Sequence, residues 1–193
     1  MWQQLMPALR VTLVMTVLTG LLYTALVTGI AQVLFQSQAD GSLLVRNGRL
    51  IGSDLIGQSF TRPEYFHSRP SAAGDGYDAT ASGGSNLGPT SSRLVNRVKE
   101  SVAAYLAANP GAGPQIPADA VLPSASGLDP HITPANAALQ VARVAKARGV
   151  DPERVQQLVN QIQEGRDLGI LGEPRVNVLR LNLLLDDRLA VSR

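Results

Sequence analysis

Apolar residues fill the chain from Val11 to Phe35 without a single charge, a run of 25 residues. At about 1.5 Å of rise per residue, a helix of that length spans roughly 37 Å, enough to cross a hydrocarbon core of about 30 Å with some tilt. The pattern predicts one transmembrane helix over 11–35, with a leader over 1–10 before it and a soluble domain over 36–193 after it. The run exceeds the apolar core of a secretory signal, about 7–15 residues, and is therefore read as an uncleaved anchor. Its polar positions are mostly small: Thr12, Thr16, Gly20, Thr24 and Thr28 recur every four residues. Small side chains bring helix backbones close, and threonine hydroxyls bond either across the seam or back to their own helix. The line thus predicts a packing face for a partner helix; the plain alternative is that threonine is merely tolerated there. Each step of four advances about 400° around an α-helix, so the line slants and suits a crossing partner.

Beyond the anchor the periodicity changes. Leu43 to Val45 and Leu50 to Ile51 flank Arg46-Asn47-Gly48-Arg49, a hairpin signal because Asn-Gly accepts positive φ. From Gln58 to Pro89, glycine, serine, proline and aspartate dominate without periodicity, which predicts a long loop region. Phe60, Tyr65, Phe66 and Tyr77 lie within it, four of the chain's eight aromatics. So many aromatics predict an ordered loop packed on the core or on a partner. These four are the candidates for docking anchors, with burial in the domain's own core as the alternative.

Leu94, Val95, Val98, Val102, Tyr105 and Leu106 recur at helical spacing and predict a helix over Ser92–Ala108, stopped by Asn109-Pro110-Gly111. The prolines and glycines of 110–127 predict extended or turning chain. Thr133-Pro134 opens a second helix to Arg148, closed by Gly149. Asp151-Pro152-Glu153 opens a third, with Val155, Leu158, Val159 and Ile162 as its core stripe and Gly165 as its end. Val176 to Leu185 fits both alternation and helical spacing; capping by Asn177 tips it toward a helix to about Arg188. The fold class is α+β: a single transmembrane helix, then one small mixed α/β domain with long ordered loops.

Composition narrows the function. The net charge is +2, and the 17 basic residues are scattered, so a nucleic-acid stripe is not expected. No cysteine is present, which removes disulfides, thiol nucleophiles and thiolate metal sites. Arg10 and the amino terminus precede the anchor, against Asp40, Arg46 and Arg49 after it; by the positive-inside rule the balance slightly favours the amino terminus inside and predicts the domain outside the cytoplasm.

His67 and His131 are the two histidines, and with Asp75, Asp78 and Asp129 they form the conceivable metal-ligand set, but no spacing demands a metal. Asp129 is better read as a turn or cap residue before Pro130. Ser82 and Ser85 lack the Gly-x-Ser-x-Gly elbow of a hydrolase. The segment Ser82-Gly83-Gly84-Ser85, ahead of a helix, has the glycines and hydroxyls of an anion-holding loop, although no Gly-Lys-Ser or Gly-Lys-Thr P-loop occurs. The alternative is that these glycines permit a tight, close-packed loop.

Arg69-Pro70-Ser71-Ala72-Ala73-Gly74, Ser82-Gly83-Gly84-Ser85-Asn86-Leu87-Gly88-Pro89 and Ala125-Ser126-Gly127-Leu128-Asp129-Pro130-His131-Ile132 together resemble the C subunit of the Kdp potassium-transporting ATPase. Arg143-Val144-Ala145-Lys146-Ala147-Arg148 and Pro174-Arg175-Val176-Asn177-Val178-Leu179 extend the likeness over nearly the whole chain. The resemblance implies a bacterial inner-membrane complex in which a separate pore subunit binds potassium and a separate P-type subunit hydrolyses ATP. The chain itself carries neither an Asp-Lys-Thr-Gly phosphorylation motif nor a Thr-Val-Gly-Tyr-Gly filter. The resemblance thus implies a non-catalytic accessory subunit without a stably bound cofactor. Such a subunit acts as a catalytic chaperone that promotes assembly and raises the ATP affinity of the hydrolytic subunit. It also implies a nucleotide-type role for Ser82, Gly83, Gly84 and Ser85, which resemble the signature loop of ABC transporters.

Overall fold

The computed structural model describes residues 2–189 and divides into two compact units, one ending at Ile51 and one beginning at Gly52. In the first, a continuous helix runs over Trp2–Leu34. It comprises α1 (Trp2–Met15), a π-helical stretch (Thr16–Tyr23) and α2 (Thr24–Leu34), and none of its residues is buried. The helix begins at Trp2 rather than Val11 because Arg10 limits a membrane span, not a helix. Gln3, Gln4, Leu5, Met6, Ala8 and Leu9 are adequate or good helix formers, and the helix also accommodates Pro7.

The threonines of the small-residue line turn inward. Thr16 Oγ1 donates to the Thr12 carbonyl at 2.8 Å, and Thr24 Oγ1 donates to the Thr19 carbonyl at 3.2 Å. A hydroxyl in hydrocarbon must find a partner, and here the helix's own backbone supplies it.

At Phe35 the chain leaves helical geometry (φ −136°, ψ 43°), and the short α3 (Gln36–Ala39) follows. Then β1 (Leu43–Arg46) pairs with β2 (Arg49–Ser53). Asn47 and Gly48 take φ of 52° and 73°, the two left-handed residues that a type I′ hairpin turn requires. The hairpin turn read from Asn-Gly is the one observed.

The second unit contains α4 (Ser92–Ala108), β3 (His131–Ile132), α5 (Pro134–Arg148), α6 (Pro152–Ile162), β4 (Val176–Asn177) and α7 (Val178–Arg188). Each α5–α7 start has a side-chain cap of the expected kind. Thr133 Oγ1 accepts from Asn136 N, Asp151 Oδ1 from Glu153 N, and Asn177 Oδ1 from Arg180 N. Gly149 closes α5 at φ 66°.

Two boundaries differ from the pattern. α6 stops at Ile162, before Gly165, because Glu164 pairs its backbone with Arg175. Val176 and Asn177, both buried, pair antiparallel with Ile132 and His131 before α7 begins; the helix capped by Asn177 is the reading that holds. The core gathers α5, α6 and α7 around Val144, Val155, Val159, Val178, Leu181 and Leu185, with Ile132 of β3 and Phe66 of the long loop closing it. α4 buries no residue; Val95 and Leu106 on it are exposed. Its apolar spacing marks a helix, not a core helix.

Candidate functional site

Two amide side chains on core helices strap the aromatic loop down. Asn182 of α7 accepts from Phe66 N at 2.8 Å and donates to Phe66 O at 3.0 Å. Gln140 of α5 does the same for His67, accepting at 2.8 Å and donating at 3.1 Å. Each amide replaces a strand neighbour for one loop residue, satisfying both backbone groups where water is excluded. Arg143 adds the carbonyls of Pro63 (2.7 Å) and Tyr65 (2.9 Å), and bonds Gln140 Oε1 at 2.7 Å.

Phe66 is consequently fully buried in the domain's own core. Phe60 packs on that core. The Tyr65 hydroxyl donates to Asp186 at 3.1 Å, and the Tyr77 hydroxyl donates to the Arg69 carbonyl at 2.5 Å. All four aromatics therefore have partners within the domain, and the loop is ordered by the core.

From this strap the chain runs into a junction where three motif-bearing loops meet. Ser71 Oγ donates to the Gly127 carbonyl at 2.7 Å and accepts from Tyr77 N at 2.8 Å. Gly83 N and Ser82 Oγ both donate to the Ser126 carbonyl, at 2.9 and 3.0 Å. Arg69 reaches across to Asp129 at 2.9 Å and to the carbonyls of Leu122 and Pro123. Two glycines make the approach possible. A Cβ on Gly127, at φ 68°, would stand 2.6 Å from Ala73 N and 2.8 Å from Gly83 O. A Cβ on Gly84 would stand 2.9 Å from Ala125 O. Close packing thus accounts for Gly84.

Asp129 is the ionic post of the junction. Burial alone would raise its pKa, but hydrogen bonds from the His131 side chain and backbone, and from Arg69, outweigh that and lower it to about 2. A carboxylate held below its unfolded value of about 3.9 stabilises the fold above that pH, and the contribution is lost as pH falls toward 2. Comparing urea midpoints of the wild type and Asp129→Asn, the wild type's advantage should shrink as pH falls from about 4 to about 2. An advantage independent of pH over that window would remove Asp129 from this role.

The junction borders an open cleft of about 310 Å³ lined by Ser71, Asp75, Gly84, Ser85, Arg93 and Arg97 among others. The two arginines come from the first turns of α4, and neither is ion-paired among the described residues. The cleft can hold a small anionic group between the guanidinium groups and the Gly84–Ser85 backbone, against the opposing charge of Asp75. The structure thus brings Gly84 and Ser85 to a basic cleft, while Ser82 and Gly83 are engaged by Ser126.

The histidines are held apart from any such chemistry. His67 Nε2 lies 3.1 Å from the Arg62 carbonyl, and burial together with the neighbouring Arg143 charge lowers its pKa. His131 Nδ1 lies 3.4 Å from Asp129. Neither is hydrogen bonded to Ser82 or Ser85, and among the described residues no three His, Asp or Glu side chains group as a metal site.

Pattern reading did not find Asn182, Gln140 or Arg148. The signal was present as a polar residue on an otherwise apolar helical face: Gln140 beside Val141 and Val144, and Asn182 beside Leu181 and Leu185.

Residues 5–187 match the family model described as K+-transporting ATPase, c chain. Among similar proteins is the potassium-transporting ATPase KdpC subunit of Koribacter versatilis, 57% identical over 96% of this chain and 95% of its own. Those of Gemmatimonas aurantiaca (58% identical; 100% and 96% covered) and Rhodospirillum rubrum (55% identical; 100% of both) are comparably similar.

Proposed function

We propose, for a chain that belongs to the KdpC family of potassium-transporting ATPase subunits, the role of a non-catalytic accessory subunit that promotes assembly and raises the ATP affinity of the hydrolytic subunit. Potassium and ATP are handled by its partners, a pore-forming subunit and a P-type subunit. The chain sits in the bacterial inner membrane with its amino terminus in the cytoplasm and its domain in the periplasm. The observation that carries the proposal is the pairing of an unburied 33-residue apolar helix with a domain whose signature loops are spent on one another. A protein built this way offers surfaces rather than a reaction centre.

With the domain outside, Ser82 to Ser85 do not meet cytoplasmic ATP. The effect on ATP affinity is then a coupling: the subunit binds one state of the complex better than another and shifts the equilibrium toward it. Protease added to spheroplasts should degrade the domain, and its survival would reverse the topology. The second reading, direct contact of nucleotide phosphates with this chain, is favoured by Arg93 and Arg97 beside Gly84 and Ser85. A photoreactive ATP analogue in correctly oriented sealed vesicles should label the P-type subunit and leave this chain unlabelled; labelling here would replace coupling by contact.

Assembly should depend on the small-residue line of the anchor. Replacing Thr16 and Gly20 by leucine is expected to reduce recovery of the complex by about tenfold, through lost backbone approach, while Leu18→Ala with Leu22→Ala costs much less. Equal losses would reduce the helix to a plain tether. If the extracted wild-type chain emerges alone at its physiological level and potassium uptake under limitation survives its deletion, the accessory role fails.

A further inference from the structure

Between α6 and β4 the chain projects a tip that puts its largest aliphatic side chains into water. Leu168 is 89% exposed, Ile170 75% and Leu171 56%. The tip is rigidly framed. Asp167 and Leu171 exchange backbone hydrogen bonds at 2.9 Å in both directions, and Glu164 and Arg175 do so at 2.9 and 3.0 Å. Leu168 is held at φ 53°, a left-handed conformation that a leucine adopts only at a cost. Gly169 and Gly172, at φ 77° and 75°, complete the turn.

Charged residues collar this stem and neutralise one another. Arg175 pairs with Glu164 at 2.9 Å and with Asp167 at 3.3 Å, and Arg166 with Glu173 at 2.8 Å. Arg180 is bonded to the Asp54 carboxylate and approaches Glu164 at 3.7 Å. Four acids, Asp54 among them, thus pair with three arginines beneath an uncharged apolar cap.

The charges decide what the cap fits. A segment seated on a lipid surface carries unpaired Lys or Arg for the headgroups and Trp or Tyr at the boundary. Here each collar arginine is already paired, Arg180 with Asp54, and residues 164–175 contain no aromatic side chain. An apolar centre inside a self-satisfied polar rim is instead the anatomy of a protein interface.

We propose that Leu168, Ile170 and Leu171 form a preformed plug that seats in an uncharged apolar groove on another subunit of the same potassium-transporting ATPase. This rests on the accessory-subunit reading. Because the tip is already in its bound shape, little conformational freedom is lost on docking.

The test uses the full chain co-expressed with the other subunits and extracted in mild detergent. Leu168→Asn with Ile170→Gln removes the apolar cap and keeps a residue that tolerates the left-handed turn. Its thermal midpoint should match the wild type, since neither side chain is in the core. Recovery of the other subunits with the tagged variant should fall at least about tenfold. Val95→Gln with Leu106→Gln, which also replaces two exposed apolar side chains but on α4, should change recovery less than twofold. A benzoylphenylalanine at position 168 should cross-link to another subunit of the transporter. Unchanged recovery, or cross-links to lipid or to a second copy of this chain, overturns the plug. If the wild-type chain itself recovers no partner, the accessory reading fails; if the wild type and the cap variant recover it equally, only the plug does.

Discussion

Gly127→Ala should destabilise the domain by at least about 3 kcal/mol, the sum of a left-handed backbone strain and a steric overlap that neighbouring backbone cannot relieve. The overlap is specific. The new methyl would lie 2.6 Å from Ala73 N and 2.8 Å from Gly83 O, in two different loops. Relief requires those loops to separate, which stretches the Ser71–Gly127 and Gly83–Ser126 hydrogen bonds. In a thermal melt followed by circular dichroism, the midpoint should drop by roughly 6–12 °C. Gly83→Ala is the internal control, since its methyl meets nothing closer than Ala81 O at 3.9 Å and should cost under about 1 kcal/mol. If both variants melt together, the junction is not packed as described.

A comparable loss is expected from Arg148→Met. The Arg148 side chain is wholly buried, and its guanidinium donates to Glu64 O, Leu189 O and Asp186 Oδ1, each at 2.8 Å. It also lies 5.1 Å from the centre of the Tyr65 ring. Methionine fills much of the volume but leaves the Glu64 and Leu189 carbonyls without this donor and takes one hydrogen bond from Asp186, which keeps that of Tyr65. Removing one partner of such a buried arrangement costs about 3–5 kcal/mol. Lysine should recover only part of this, because one ammonium cannot reach three acceptors that a planar fork reaches at once. Urea denaturation of the three proteins checks the order, and accelerated chymotryptic cleavage after Tyr65 or Phe66 would show this loop coming free. Equal midpoints for methionine and arginine would mean that packing, not hydrogen bonding, holds α5 to the loop.

These two positions mark where local pattern stops being informative. Caps and breakers act within four or five residues, so Thr133, Asp151, Asn177 and Gly149 could be read directly, as could the Asn47-Gly48 turn. Arg148 acts on Glu64, 84 residues away, and Gly127 on Ala73 and Gly83, and no periodicity encodes such partners. The two-residue pairing of His131–Ile132 with Val176–Asn177 was invisible for the same reason. The Ser82–Ser85 glycines admitted two explanations from sequence, an anion loop or a close-packed one. The structure supplies a packing partner for Gly84, the close-packed explanation, and places Ser85 in the cleft lined by Arg93 and Arg97.

The π-helical stretch alters the geometry of the anchor's small residues. In α1 and α2, four residues overshoot a full turn of about 3.6, so the steps Thr12–Thr16 and Thr24–Thr28 drift around the helix in one sense. Over Thr16–Tyr23 the hydrogen-bonded rings widen to i→i+5, a turn takes more residues, and the same step falls short. The drifts through Gly20 oppose those on either side and largely cancel them. Thr12, Thr16, Gly20, Thr24 and Thr28 then line up lengthwise like the teeth of a rail, a shape that would suit a helix laid alongside over many turns better than one touching at a single crossing point.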